Sequence, residues 1–225
     1  MDRVPIRFIQ EVLLQLEENQ FLDTQDRKYP SIWAEVANKK RTREGADLLI
    51  YLTFEEEVLF CVFDDDGPVE LDRIGQFVLD NVFVEDLGEQ EEHDWIWEIE
   101  ELYPVTKKNF HLLHSLIRKP FPCHLEFNFQ TDPIDPLVQR LCLAIPWVAG
   151  LRLNSQMPLS MDILTRSVER GTLKYLFCHV DVTVLLLPVL LRFVASEKMD
   201  KFEATPSDDS PISYEALLNG VIDAV

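Results

Sequence analysis

Hydrophobic and polar positions in the C-terminal half of this chain follow a pattern that returns at a fixed interval. The segments 122–127, 148–153, 173–178 and 199–204 read apolar-x-x-apolar-x-apolar, apart from their small first positions. Their anchors, Leu125, Leu151, Leu176 and Phe202, lie 26, 25 and 26 residues apart. Alternation of this kind predicts short strands, and a slip of one residue would exchange a strand's two faces. Between the anchors the period changes to three and four, which predicts helices with one buried stripe each. The stripes are Leu137, Val138, Leu141 and Leu143; then Ile163, Leu164 and Val168; then Val189, Leu190, Phe193 and Val194; and last Tyr214, Leu217, Leu218 and Val221. Asp135-Pro136, Ser160 and Ser213 are placed to start these helices as caps or first-turn residues, and Gly150 and Gly171 to end them.

A strand, a loop and a helix repeating every 25 or 26 residues is the period of leucine-rich repeats. A single unit cannot bury its apolar face, so stacked neighbours supply the core. The consensus is degenerate: Asn128, Asn154, His179 and Thr205 follow the four strands, so no regular asparagine ladder is expected. The residues between the buried anchors, such as Glu126, Asn128, Arg152 and Asn154, are predicted to share the other strand face and to contact a partner.

Upstream, Ala46–Thr53 and Val58–Phe63 read as a hairpin, and Asp64-Asp-Asp-Gly67-Pro68 as a turn. Leu71, Ile74, Phe77 and Val78 continue as a helix, Asn81–Val84 as a strand, and Lys107–Lys119 as a helix carrying Phe110, Leu113, Leu116 and Ile117. Residues 4–39 read as two helices, one with Phe8, Ile9, Val12, Leu13 and Leu16 on a stripe, one opened by Pro30 and carrying Ile32, Trp33 and Val36. Three parts follow: a helical module over 1–45, an acidic α/β segment over 46–120 that starts or caps the repeats, and the repeats over 121–225.

Charge separates these parts. The chain of 225 residues carries Lys+Arg 21 against Asp+Glu 40, net −19. Residues 46–104 hold 19 of the acids and one base, Arg73, while the two ends are nearly neutral. That balance repels a nucleic-acid backbone or an anionic membrane, so neither is expected as a partner. Runs of like charge face water, and the acidic stretch around Trp95 and Trp97 suits a basic protein partner anchored by the two indoles.

Chemistry is sparse. Seven glycines form neither G-x-G-x-x-G nor G-x-x-x-x-G-K-[ST]. With Gly67 at the sixth position of a calcium loop, Val62 would stand at the first, where an oxygen ligand is needed. His111-x-x-His114 with Cys123-His124 fails as a zinc site, because adjacent residues of a strand point to opposite faces. No G-x-S-x-G or H-E-x-x-H occurs. No metal, cofactor or catalytic residue is therefore expected, and an enzyme whose site is built from unremarkable residues is the minor alternative. Met1-Asp2-Arg3 and an amphipathic stretch predict no secretory leader, and Val182–Ala195 is too short to span a membrane. Four scattered cysteines (Cys61, Cys123, Cys142, Cys178) suit a reducing compartment, cytoplasm or nucleus.

Val4-Pro5, then Phe8-Ile9-x-x-Val12-Leu13-x-x-Leu16 and Ser31-Ile-Trp33-Ala-Glu-Val36, resemble an F-box. With the Met1-Asp2-Arg3-Val4-Pro5 start and the stretch from Leu190 through Phe193-Val194 and Ser196 to Met199, the chain resembles an expanded nematode group. Its members join an F-box-like segment to degenerate leucine-rich-like repeats. The resemblance implies that Pro5, Phe8, Ile9, Val12, Leu13 and Trp33 dock a Skp-type adaptor of a cullin ubiquitin ligase, while the repeats hold a protein substrate. Asp26-Arg27-Lys28-Tyr29 replace the apolar residues usual before the tryptophan helix. The alternative is accordingly a plain repeat scaffold whose N-terminal helices form a cap. The expected fold is α/β: F-box-like helices followed by an irregular leucine-rich-repeat-like solenoid.

Overall fold

The computed structural model describes residues 45–53, 57–87, 102–130, 133–206 and 210–224. Strands β1 (Gly45–Leu52) and β2 (Val58–Asp64) form the expected antiparallel hairpin, with Leu48 opposite Val62 and Ile50 opposite Phe60. Asp64 Oδ1 accepts from the N–H groups of Asp66 and Gly67 and closes the next turn. Gly67 has a φ of 126°, a conformation that a side chain rarely tolerates. β3 (Gly67–Pro68) returns along β2.

The predicted helix over Leu71–Val78 is only a 3-10 turn, Ile74–Gln76, followed by β4 (Val78–Asp86). The apolar spacing is correct for a helix, and Ile74 and Phe77 are buried. Parallel pairing with β1 takes Val78 onwards into the sheet, and Phe77 N–H closes the turn on the Ile74 carbonyl. β5 (Tyr103–Pro104) pairs with β2.

Strand and helix then alternate: α1 (Lys107–Ile117), β6 (Cys123–Asn128), α2 (Pro136–Leu143), β7 (Val148–Leu153), α3 (Pro158–Arg170), β8 (Tyr175–Cys178), α4 (Leu187–Val194), β9 (Lys201–Ala204) and α5 (Tyr214–Ala224). Among the described residues the result is a mixed α/β fold with a nine-stranded sheet in the order β3-β2-β1-β4-β6-β7-β8-β9, β5 lying beside β2. From β1 to β9 all neighbours run parallel.

The repeat spacing is the sheet register. Leu125 pairs with Leu151, Leu151 with Leu176, and Leu176 with Phe202. The ladder continues the other way to Val82 and Leu48. Equal spacing gives each unit one strand and one return path, so equivalent residues meet side by side. Leu48, Val82, Leu125, Leu151 and Leu176 are all buried in one core, against which α1 to α5 pack from the same side of the sheet. Burying one such leucine contributes about 1.5–3 kcal/mol.

The helix signals hold in part. Thr106 accepts from Asn109 N–H to cap α1, and Asp135 accepts from the N–H groups of Leu137 and Val138 ahead of Pro136 in α2. Ser213 Oγ accepts from Ala216 N–H before α5. Ser160, expected as a cap or a first-turn residue, stands in the first turn of α3: Met157 is the cap, Pro158 starts the helix, and the buried Ser160 hydroxyl bonds the carbonyls of Ser155 and Met157. Gly171 ends α3 in the left-handed region, φ 62°. Gly150 ends no helix and lies inside β7. On α5 only Leu217 of the expected stripe is buried, while Tyr214 and Leu218 are exposed. Residues 4–39, expected to form two helices, lie outside the described residues.

Candidate functional site

Side chains alternate along a strand, so the residues between the buried anchors stand on the face opposite the helices. Strand pairing sorts them into rows. One runs Asp47, Asn81, His124, Gly150, Tyr175, Lys201, and the next Leu49, Phe83, Glu126, Arg152, Phe177, Glu203. Beyond them Asn154 N–H bonds the Phe127 carbonyl, His179 N–H that of Leu153, and Thr205 N–H that of Cys178, extending the ladder past the strand ends.

This face changes character across the sheet. At β1 and β2, Leu49, Tyr51 and Cys61 are buried in a second apolar cluster with Leu59, Phe63, Phe83, Leu87 and Leu102 against them. From β6 to β9 the side chains are half-buried or exposed. Among the described residues no helix lies on this side, since the buried helix residues belong to the other face's core.

At the centre, side chains link four strands. Asn154 Nδ2 donates to Glu126 Oε1 at 3.3 Å, and Arg152 Nε stands 3.7 Å from Glu126 Oε2. The Arg152 guanidinium lies over the Phe177 ring, 5.1 Å from its centroid. Lys201 Nζ approaches the same ring at 4.5 Å and Glu203 Oε2 at 3.3 Å. Exposed pairs of this sort contribute about 0–1 kcal/mol each, so they order the surface more than they stabilise the fold. Asn81, Phe83, His124, Glu126, Gly150, Arg152 and Phe177 surround a shallow pocket of about 190 Å³. His124 stacks on Tyr175 with ring centroids 5.5 Å apart, and the missing side chain of Gly150 makes room for its imidazole. Along the rim, His179 Nδ1 lies 2.6 Å from Thr205 Oγ1.

Of the residues expected to touch a partner, Glu126, Arg152 and Asn154 are joined by these contacts. Asn128 lies exposed on the same face, opposite Glu85. Trp95, Trp97, Pro5, Phe8, Ile9, Val12, Leu13 and Trp33 lie outside the described residues. The site also contains His124, Tyr175, Phe177 and Lys201, which the sequence reading did not single out as contacts. The signal for Phe177 was present, because it occupies the same repeat position as Glu126 and Arg152.

Burial sets the titration of the groups in and behind this sheet. All four cysteines are free and buried, and burial pushes their thiols up to about 12 at Cys61, Cys123 and Cys142 and about 11 at Cys178. They stay protonated and act as small apolar side chains. Cys123 and His124 diverge as strand neighbours must, one into the core and one onto the open face. Burial holds His124 below the ordinary imidazole range, partly offset by Asp80. Asp80 is held above the usual carboxylate range, first by burial and then by Asp47, with His124 opposing. Among the described residues no three metal-ligating side chains gather, and no helix is long and apolar enough to cross a membrane.

No protein-family model, characterised protein or solved structure matches the chain. The sheet face and its chemistry therefore carry the functional argument.

Proposed function

We propose that this chain is a non-enzymatic interaction adaptor, a leucine-rich-repeat-like scaffold that binds a protein partner on its open sheet face. The observation that carries this reading is the ordered run Asn154–Glu126–Arg152–Phe177–Lys201–Glu203 across β6 to β9. Aromatic rings and arginine dominate protein interfaces because they offer large contact area together with directed polar groups. Spread over parallel strands, such groups form a broad surface suited to a polypeptide. The acidic surplus of residues 46–104 favours a partner that is basic on the corresponding side.

In the fuller form of this proposal the F-box-like segment docks a Skp-type adaptor through Pro5, Phe8, Ile9, Val12, Leu13 and Trp33, and the sheet face presents a substrate to a cullin-type ubiquitin ligase. Resemblance supports that half. The test is retention of a purified Skp-type adaptor by the full chain and by its Phe8→Asp, Leu13→Asp variant. Retention by the parent alone, with equal melting temperatures, is the expected result. Failure of the parent to retain the adaptor removes the ligase assignment and leaves the scaffold. Global unfolding of the variant makes Phe8 and Leu13 core residues of a cap.

A further inference from the structure

Among the described residues β9 is the outermost strand of the sheet, paired on one side with β8. Lys201 N–H bonds the Lys174 carbonyl and Thr205 N–H that of Cys178. The intervening Phe202 and Ala204 therefore direct their backbone groups to the free edge. The last helix ends the helix layer on the same side. α5 packs on α4, where Gly220 leaves room for Leu191. Its outer residues Tyr214, Leu218 and Ile222 are 61%, 45% and 64% exposed. Spacing of four places them on one stripe. An open strand edge beside an apolar helix stripe is a surface built to be covered.

We propose that a second copy of this chain covers it, giving a two-fold dimer through β9 and α5. A two-fold axis normal to the sheet joins the two β9 strands antiparallel and keeps both helix layers on one side, which brings the two α5 stripes to a common seam. Side chains directly opposite must share a face, and the four residues of β9 give four registers, of which centring on Ala204 opposes Glu203 to the uncharged Thr205 and pairs no charges. Centring on Lys201 opposes Lys201 to itself, and centring on Glu203 opposes Glu203 to itself. Centring on Phe202 opposes Lys201 to Glu203 of the second copy, twice. Like charges directly across a ladder destabilise it and opposite charges stabilise it, so this register alone is self-complementary. It also makes Phe202 the hydrogen-bonded central pair, and Lys201 and Glu203 the closer, non-hydrogen-bonded pair. The interface is isologous and closes at two copies.

Sedimentation equilibrium of the full chain tests this independently of any partner. A monomer–dimer equilibrium without larger species is expected. Lys201→Glu or Glu203→Lys alone should weaken the dimer by about tenfold or more, and the double exchange should bring it back to within about threefold of the parent. Leu218→Asp should give monomer that melts with the parent at high dilution, where both are monomeric, and below it where the parent is a dimer. A parent that stays monomeric at about 100 µM, or that grows beyond the dimer, overturns the proposal. A double exchange as weak as the single reversals overturns the register and with it the argument for a second copy.

Discussion

The imidazole of His124 fills the space that a side chain at Gly150 would need: a Cβ on residue 150 would lie 2.4 Å from His124 Nδ1. The two residues are direct partners on β6 and β7, and the ring passes over Gly150 to stack on Tyr175 of β8. One glycine thus lets an aromatic contact extend across three strands of the exposed face.

Gly150→Ala must then displace this exposed ring, and losing its stacking on Tyr175 costs about 0.5–1.5 kcal/mol. In a His124→Ala background most of that loss should disappear, leaving a coupling of about 0.5 kcal/mol or more in a double-mutant cycle by urea unfolding. Equal losses in both backgrounds would mean that His124 is not the obstacle.

The two faces of one strand should answer substitution differently. Leu151 and Leu176 are buried register partners, so Leu151→Ala or Leu176→Ala should destabilise by about 2.7–5 kcal/mol. Arg152→Ala, one residue along, removes only half-exposed contacts and should cost about 1 kcal/mol or less. Denaturant midpoints of the three variants check this, and similar losses on both faces would contradict the assignment of core and surface.

Asp80 titrates above the usual 3.8 in the folded chain, so the native state holds its proton more tightly than the unfolded state. Stability from this site is therefore lost as pH rises from about 3.8 through the folded value. Asp80→Asn should raise the melting temperature at pH 7, and the gain should vanish below about pH 4. His124 has the opposite acid response. Its folded value lies below 6.5, so native stability falls as pH drops beneath that point. Melting curves of parent and variant from about pH 3 to 8 separate the two, and a gain for Asp80→Asn that persists at the acid end would contradict the assignment.

The spacing of Leu125, Leu151, Leu176 and Phe202 was legible because period and strand register are the same quantity in a stacked α/β unit. Val82 and Leu48 belong to that ladder yet were not read into it, since the 43 residues from Val82 to Leu125 break the period. Leu71 to Val78 had helical spacing, but sheet pairing overrode it after one 3-10 turn. Ser160 was readable as a helix-start residue, and Pro158, by beginning the helix two residues earlier, decides for the first turn and not the cap. Gly150 looked like a stop because the imidazole it accommodates is 26 positions away in sequence. On the open face, Glu126 and Arg152 were readable as outward positions. The bridging of Phe177 by Arg152 and Lys201 needs three strands in register, which no short window of sequence contains.

The β6–β9 face, and not the helix layer, is the surface expected to meet the protein partner. A photo-crosslinking residue placed in the full chain at Asn128, on that face, and separately at Glu169, exposed on α3, tests it most directly. One protein should crosslink from position 128 and not from 169, and its purified form should bind about tenfold more weakly to Arg152→Glu at unchanged melting temperature. Crosslinking from 169 alone, or binding indifferent to Arg152→Glu, would contradict it.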